Sequence, residues 1–310
     1  MSTLVFNLMK VFLILLLATG CTSLLPPTFA PAVSTATTSA PFTPSLTPIN
    51  NALTQTLTMG EYQYTMECSG EGSPVVLLLG GRAAAWKPIQ AEINRITRTC
   101  TFDHMGNRST PLTAEEIAKN VHLLLKDADV TAPYVLVGFS VGGYITRLFA
   151  NLYPDEVVGM VLLDSSHAYQ NARFLAALPP ETSNDCQELK DYRAKLQGPH
   201  IIPVAPQISL DFDASADKVR AVEGNLGNLP LVVLTAGRSE WPDCFLAEVR
   251  AHLDQAWIDM QDDLASLSTN STHLVADESG HSFVEQPEMV IDAIQRVVQA
   301  IQTGTRSPVP

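Results

Sequence analysis

The stretch Val135-Leu136-Val137-Gly138-Phe139-Ser140-Val141-Gly142-Gly143 decides how the chain is read. A β-branched apolar run enters it, and it leaves into residues with helical spacing at Ile145, Leu148, Phe149 and Leu152. Strand, sharp turn and helix therefore meet at Ser140. A serine there needs a strained backbone to project its hydroxyl above the strand end. Side chains two positions to either side would collide, hence Gly138 and Gly142. The Val141 N–H, at the helix start, is placed to donate to a developing oxyanion. The plain alternative is a glycine-rich turn that packs helix on strand.

Composition sets the outer bounds. The chain has 310 residues, 46% apolar and 16% charged, which suits a large buried core and argues against global disorder. Net charge is −13; Lys10 is the one charged residue among the first twenty, so the remainder carries −14. Such a surface repels nucleic acid, and no basic run offsets it.

The first residues read as a targeting segment. Lys10 precedes the apolar stretch 11–18, which is short for a bilayer span and the right length for a signal-peptide core. Ala18-Thr19-Gly20-Cys21 resembles the lipobox of bacterial lipoproteins, with Ala18 where leucine is usual. The expectation is a signal over 1–20 and a lipidated Cys21 that anchors an exported protein in the cell envelope. An ordinary cleaved signal, leaving the protein secreted or periplasmic, is the alternative. Residues 22–50 are rich in Pro, Thr, Ser and Ala and carry no charge, so 21–51 reads as an extended tether.

A folded domain is expected over 52–303. Tyr62, Tyr64, Met66 and Cys68 alternate with polar residues as in a half-buried strand. Wholly apolar runs follow at 75–79, 134–137, 157–163 and 231–234, the pattern of strands covered on both faces. Between them, Thr113-Ala114-Glu115-Glu116 is a capping box opening a helix to about residue 128. Pro287 precedes a stripe at Val290, Ile291, Ile294, Val297, Val298 and Ile301 that lies on one helix face. Alternating strands and helices imply an α/β architecture with a mostly parallel sheet. The rhythm breaks at about 165–229, where a mostly helical inserted cap is expected because long structureless loops are rare in compact domains.

A serine hydroxyl needs a base, and His281 in Glu278-Ser279-Gly280-His281 stands after the last apolar run and before the last helix. His122 and His252 fall in helical runs, whereas His104 and His167 lie at strand ends and are candidates for a pocket lining. No CxxC or His-rich spacing suggests a metal site.

With these residues in view, the region from about 63 to 300 resembles a bacterial α/β-hydrolase of the esterase and lipase-like group. The matching stretches are Thr101-Phe102-Asp103-His104-Met105-Gly106, residues 133–143, Val158-Gly159-Met160-Val161-Leu162-Leu163-Asp164 and Ser279-Gly280-His281. Phe139 replaces the histidine common before the nucleophile, and His104 the arginine common after Asp103. The resemblance implies an eight-stranded α/β-hydrolase sheet with the cap inserted after strand 6. It also implies hydrolysis through an acyl-enzyme, with no metal or organic cofactor and no obligate protein partner.

Ser140 would be the nucleophile and His281 the base. The acid is Glu240, three residues after Gly237, or alternatively Asp164 at the tip of the preceding sheet strand. Gly81 and Arg82 match the oxyanion loop, whose amide joins that of Val141. Fold topology suggests the disulfides Cys68–Cys100 and Cys186–Cys244. The substrate expected is a carboxylic ester of a small or medium apolar acid, with Phe174, Leu175 and Leu178 of the cap as candidate pocket wall. Amide, thioester or lactone hydrolysis would use the same residues. A non-catalytic lipoprotein, using the fold as a binding module, is the reading from another class.

Overall fold

Alternate residues of the apolar runs face opposite sides of one sheet, and the two sets build two separate cores. In the computed structural model, which describes residues 52–59, 62–106, 111–205, 208–222, 224–282 and 286–305, ten strands form. In chain order they are β1 (Leu53–Met59), β2 (Tyr62–Ser69), β3 (Val75–Leu79), β4 (Thr99–Gly106), β5 (Tyr134–Phe139), β6 (Val157–Leu163), β7 (Ile201–Ala205), β8 (Ile208–Asp211), β9 (Leu231–Ala236) and β10 (Ser271–Ala276). Eight make one sheet in the order β1-β2-β4-β3-β5-β6-β9-β10. Pairing is antiparallel at β1–β2 and β2–β4 and parallel from β4 onward. The proposed signal, Cys21 and the tether lie outside the described residues.

Eight helices accompany them: α1 (Ala83–Ile93), α2 (Ala114–Asp127), α3 (Gly142–Leu152), α4 (Gln170–Ala177), α5 (Gln187–Gln197), α6 (Phe212–Ala221), α7 (Ala247–Ala265) and α8 (Pro287–Thr303). Leu77, Leu136, Met160 and Val233 point to the side covered by α2, α3 and α6. Val76, Val135, Val161 and Val232 point to the other side, under α1 and α8. Each such side chain, fully buried, contributes about 1.5–3 kcal/mol. The helix stripe from Val290 to Val298 is the part of α8 that meets the sheet. Thr113 caps α2 as its sequence suggests, with Oγ1 accepting from the Glu116 N–H and Glu116 Oε2 accepting from the Thr113 N–H at 2.8 Å. Among the described residues no helix is long and apolar enough to cross a membrane.

The insertion after β6 is not wholly helical. It carries α4, α5 and α6, and between the last two a hairpin in which Ile201 pairs with Asp211. Pro203 and β-branched Ile201, Ile202 and Val204 suit an edge ribbon better than a helix. The Leu112 N–H donates to the Ser209 carbonyl at 2.9 Å, tying the ribbon to the start of α2. α4 and α5 share a third core with α7, which follows β9: Phe174, Leu189, Phe245, Leu253 and Met260 belong to it.

Two disulfides staple this arrangement. Cys68 and Cys100 are directly opposed partners on β2 and β4, with Cα atoms 4.0 Å apart. Cys186 at the start of α5 joins Cys244 in the segment between β9 and α7. The loops closed span 32 and 58 residues. Closing loops of that size removes about 4 kcal/mol of unfolded-chain entropy each. The Cys68→Ser/Cys100→Ser variant is expected to lose about 2–5 kcal/mol of unfolding free energy in urea titrations. Non-reducing peptide mapping of the wild type should recover both pairings.

Behind α3, His167 is 6% exposed, and burial, with Arg173 and Arg147 nearby, pushes its pKa down to about 4 from 6.5. A histidine buried neutral binds fewer protons folded than unfolded between those two values. Stability is therefore full above pH 6.5, falls as pH drops toward 4, and is flat with respect to this group below that. His167→Gln should remove about 2–3 kcal/mol of that acid-induced loss, read from urea midpoints at pH 7 and pH 4.5.

Candidate active site

β5 runs straight into the turn that the sequence singles out. Ser140 sits at φ 53°, a left-handed conformation that only the surrounding backbone can hold in place for a non-glycine residue. Its N–H donates to the Leu163 carbonyl at 3.1 Å, and its carbonyl accepts from the Ser166 and Gly143 N–H groups, each at 3.0 Å. A Cβ on residue 138 would stand 2.8 Å from the Gly142 carbonyl oxygen, and one on residue 142 would stand 2.3 Å from the Leu79 carbonyl oxygen. Both glycines are thus steric requirements of the turn. The hydroxyl emerges half-buried, with Val141 beginning α3 beside it.

Ser140 Oγ lies 3.2 Å from His281 Nε2, and His281 Nδ1 lies 2.6 Å from Asp164 Oδ2. In the neutral imidazole, Nδ1–H donates to the carboxylate and Nε2 accepts from the serine hydroxyl. The Phe139 ring packs against the imidazole with centroids 5.0 Å apart. Asp164 is 4% exposed and sits at φ 41°. Its second oxygen is also engaged: Oδ1 accepts from the Ala236 N–H at 3.1 Å and from the Trp257 indole N–H at 2.7 Å. Three donors thus satisfy the oxygens of a carboxylate that burial keeps from water.

Asp164, the alternative acid, is therefore the one that meets His281, and Glu240 is not. Glu240 is exposed in the segment after β9, with its Oε1 turned toward Gly280. The reason lies at the end of β9: the amide there is already bound to Asp164, so β9 holds a carboxylate that comes from the end of β6. Asp243 is also exposed in this segment.

A cavity of about 560 Å³ opens over this group. Gly80, Gly81 and Val141 line it beside Ser140. Gly80 and Gly81 have φ of 89° and 69°, and a Cβ on residue 80 would lie 2.3 Å from the Phe139 carbonyl oxygen. Trp86 Nε1–H donates to the Gly80 carbonyl at 2.7 Å and fixes this loop. Arg82 is outside the lining; it is the exposed residue preceding α1. The apolar wall comes from Ile145, Phe174, Tyr192, Phe212, Trp241 and Trp257. Of the cap residues considered, Phe174 reaches the cavity, whereas Leu175 and Leu178 pack in the cap core.

His122, His167 and His252 are not among the residues lining the cavity. His122 is buried, stacked on Tyr153 and hydrogen-bonded to Glu156, and His252 is exposed on α7. His167 lies beneath the site with Nδ1 accepting from the Tyr169 N–H, and His104 sits on β4. Tyr192, Trp241 and Trp257 carry no local signal that separates a cavity wall from ordinary core; only the folded chain brings them to Ser140. Among the described residues, one cluster has metal-ligand spacing: Cys186, Glu188 and Cys244, whose two sulfurs are bonded to each other.

Comparison with known proteins agrees with this architecture. A family profile described as the alpha/beta hydrolase fold matches residues 74–188. The chain is 30% identical to the uncharacterized protein YqjL of Bacillus subtilis (strain 168) over 224 residues, covering 70% of this chain and 79% of that protein. Among solved structures it resembles mouse alpha/beta hydrolase domain-containing protein 10 with a TM-score of 0.55 and 16% identity, over 81% of this chain and all of that one. A thermophilic esterase from Thermogutta terrifontis aligns with a TM-score of 0.52 and 20% identity, over 81% of this chain and 98% of that chain. At such identities the structural likeness is one of fold. Sheet order, elbow, sequence profile and the long match to YqjL all lead to one assignment: this chain is a member of the α/β-hydrolase family.

Proposed function

We propose that this protein is a serine hydrolase that cleaves carboxylic esters of small or medium apolar acids through an acyl-enzyme. The observation that carries the reading is the hydrogen-bonded chain Ser140–His281–Asp164 at the floor of a largely apolar cavity. His281 Nε2 takes the proton of Ser140 as its oxygen attacks the ester carbonyl. The oxyanion is received by the N–H groups of Val141 and Gly81, at a helix start and in a loop where glycine lets backbone approach closely. His281 then returns the proton to the leaving alkoxide, and water, deprotonated by the same nitrogen, releases the acid. Asp164 holds the tautomer and offsets the charge of the imidazolium.

The cavity supports the substrate side of the reading. Its volume of about 560 Å³ and aromatic walls suit an apolar acyl or alcohol group of modest length. Export, with attachment through a lipidated Cys21, belongs to the same proposal; the two disulfides support an oxidising compartment.

A fluorophosphonate probe should label wild-type protein at Ser140 and leave Ser140→Ala unlabelled, and p-nitrophenyl ester hydrolysis should fall by on the order of 10⁴-fold or more in that variant. Equal hydrolysis by both proteins rejects the mechanism, and an unlabelled wild type would favour a binding module. Asp164→Asn is expected to lower kcat by about 10³–10⁴-fold, because the imidazole would adopt the wrong tautomer. Glu240→Gln should stay within about threefold of wild type, since surface carboxylates rarely contribute more. A reversed ranking of these two variants would restore Glu240 as the acid.

A further inference from the structure

The carboxylate of Asp164 has two oxygens, and only Oδ2 faces His281. What Oδ1 binds decides whether that orientation is the resting one, because a carboxylate's terminal torsion is soft and roughly two-fold. Two donors from different elements hold it: the Ala236 N–H of β9 and the Trp257 indole N–H of α7. The same indole stacks on Phe174 of the cap, with ring centroids 5.9 Å apart and planes 16° from parallel, and both rings line the cavity.

We propose that Trp257 is a positioning residue of the site, its N–H aiming Asp164 at His281 while its ring forms the wall on which the substrate's apolar group rests. The inference rests on the serine-hydrolase reading and adds a residue to it. α7 is built to hold this indole. Asp254, Trp257 and Gln261 share one helix face by their spacing, and each is bonded outside the helix. Asp254 Oδ1 accepts from the Trp241 indole at 2.6 Å, and Gln261 Nε2 donates to the carbonyl of Ser165, next to Asp164, at 3.0 Å. One residue on, Asp262 binds His273 Nδ1 at 2.6 Å, and His273 Nε2 meets Thr235 Oγ1 at 2.7 Å, which ties α7 to β9 and β10. A tryptophan that only filled space would need none of its N–H geometry.

Trp257→Phe separates the two roles, since it keeps an aromatic ring against Phe174 and removes the donor. A charge-assisted hydrogen bond of this kind is expected to change kcat by about tenfold, with KM within about twofold of wild type. Withdrawing the N–H leaves more negative charge facing the imidazole, so the acidic limb of the kcat/KM profile should move upward by about half a pH unit. Phe174→Leu should do the opposite: raise KM and leave the position of that limb unchanged. Should Trp257→Phe fold poorly, 3-benzothienylalanine at position 257 keeps the bicyclic shape with sulfur in place of N–H and should show the same kcat loss.

Fluorophosphonate labelling keeps the two readings distinguishable. A wild type that takes no label overturns the serine-hydrolase reading, and this one with it. A labelled wild type whose position-257 variants react at the wild-type rate with an unmoved pH profile overturns the role of Trp257 alone. A loss confined to KM or to melting temperature would likewise overturn it, leaving the ring as packing.

Discussion

Three stretches of backbone meet at the elbow without room for a single methyl group between them. The carbonyl of Leu79 at the end of β3 lies against Gly142, and the carbonyl of Phe139 at the end of β5 lies against Gly80. β6 closes the third side, with the Leu163 carbonyl accepting from Ser140. The strained backbone of Ser140, which costs on the order of 1–3 kcal/mol, persists only because β3, β5 and β6 are locked side by side. That locking is the work of side chains far from the chemistry, the alternating Val and Leu that bury both faces of the sheet.

The partner of His281 follows from the same geometry. Asp164 is at the tip of β6, next to the strand that carries the serine, and β9 lies on its other side. A carboxylate in that position is enclosed by sheet ends and by α7, so it is shielded from water and surrounded by fixed donors. A carboxylate in the segment after β9, where Glu240 stands, has solvent around it instead. Orientation of the imidazole thus depends on pieces distant in the chain, including a helix that follows the cap.

What could be read in the chain divides along this line. Ser140 and its glycines were legible because strand, turn and helix are consecutive, so that local sterics dictate the residues. His281 was legible through chain order, and the strands through runs too apolar to face water. The choice between Asp164 and Glu240 was not legible, because it depends on which carboxylate a folded loop brings to the ring. β1 leaves little trace in the sequence: its residues are half-buried at best, so Leu53, Leu57 and Met59 carry a weak alternation. The hairpin β7–β8 was hidden within an insertion read as helical, and Trp257 resembles any other aromatic residue on a helix until its N–H is seen to point at Asp164.

The segment after β9 forms part of the cavity rim. Arg238, Ser239, Glu240 and Trp241 border the cavity, while the carboxylate bonded to the imidazole comes from the end of β6. Cys244 fastens the far end of this segment to α5, so its path is set by a covalent tie to the cap as well as by its own sequence. A substitution at Ser239 or Glu240 therefore alters what the cavity presents without removing a hydrogen bond from the Ser140–His281–Asp164 chain, whereas Trp241 is tied through Asp254 to the helix that carries Trp257. The shape of the cavity can thus vary at these positions while the hydrogen-bonded chain beneath it is kept.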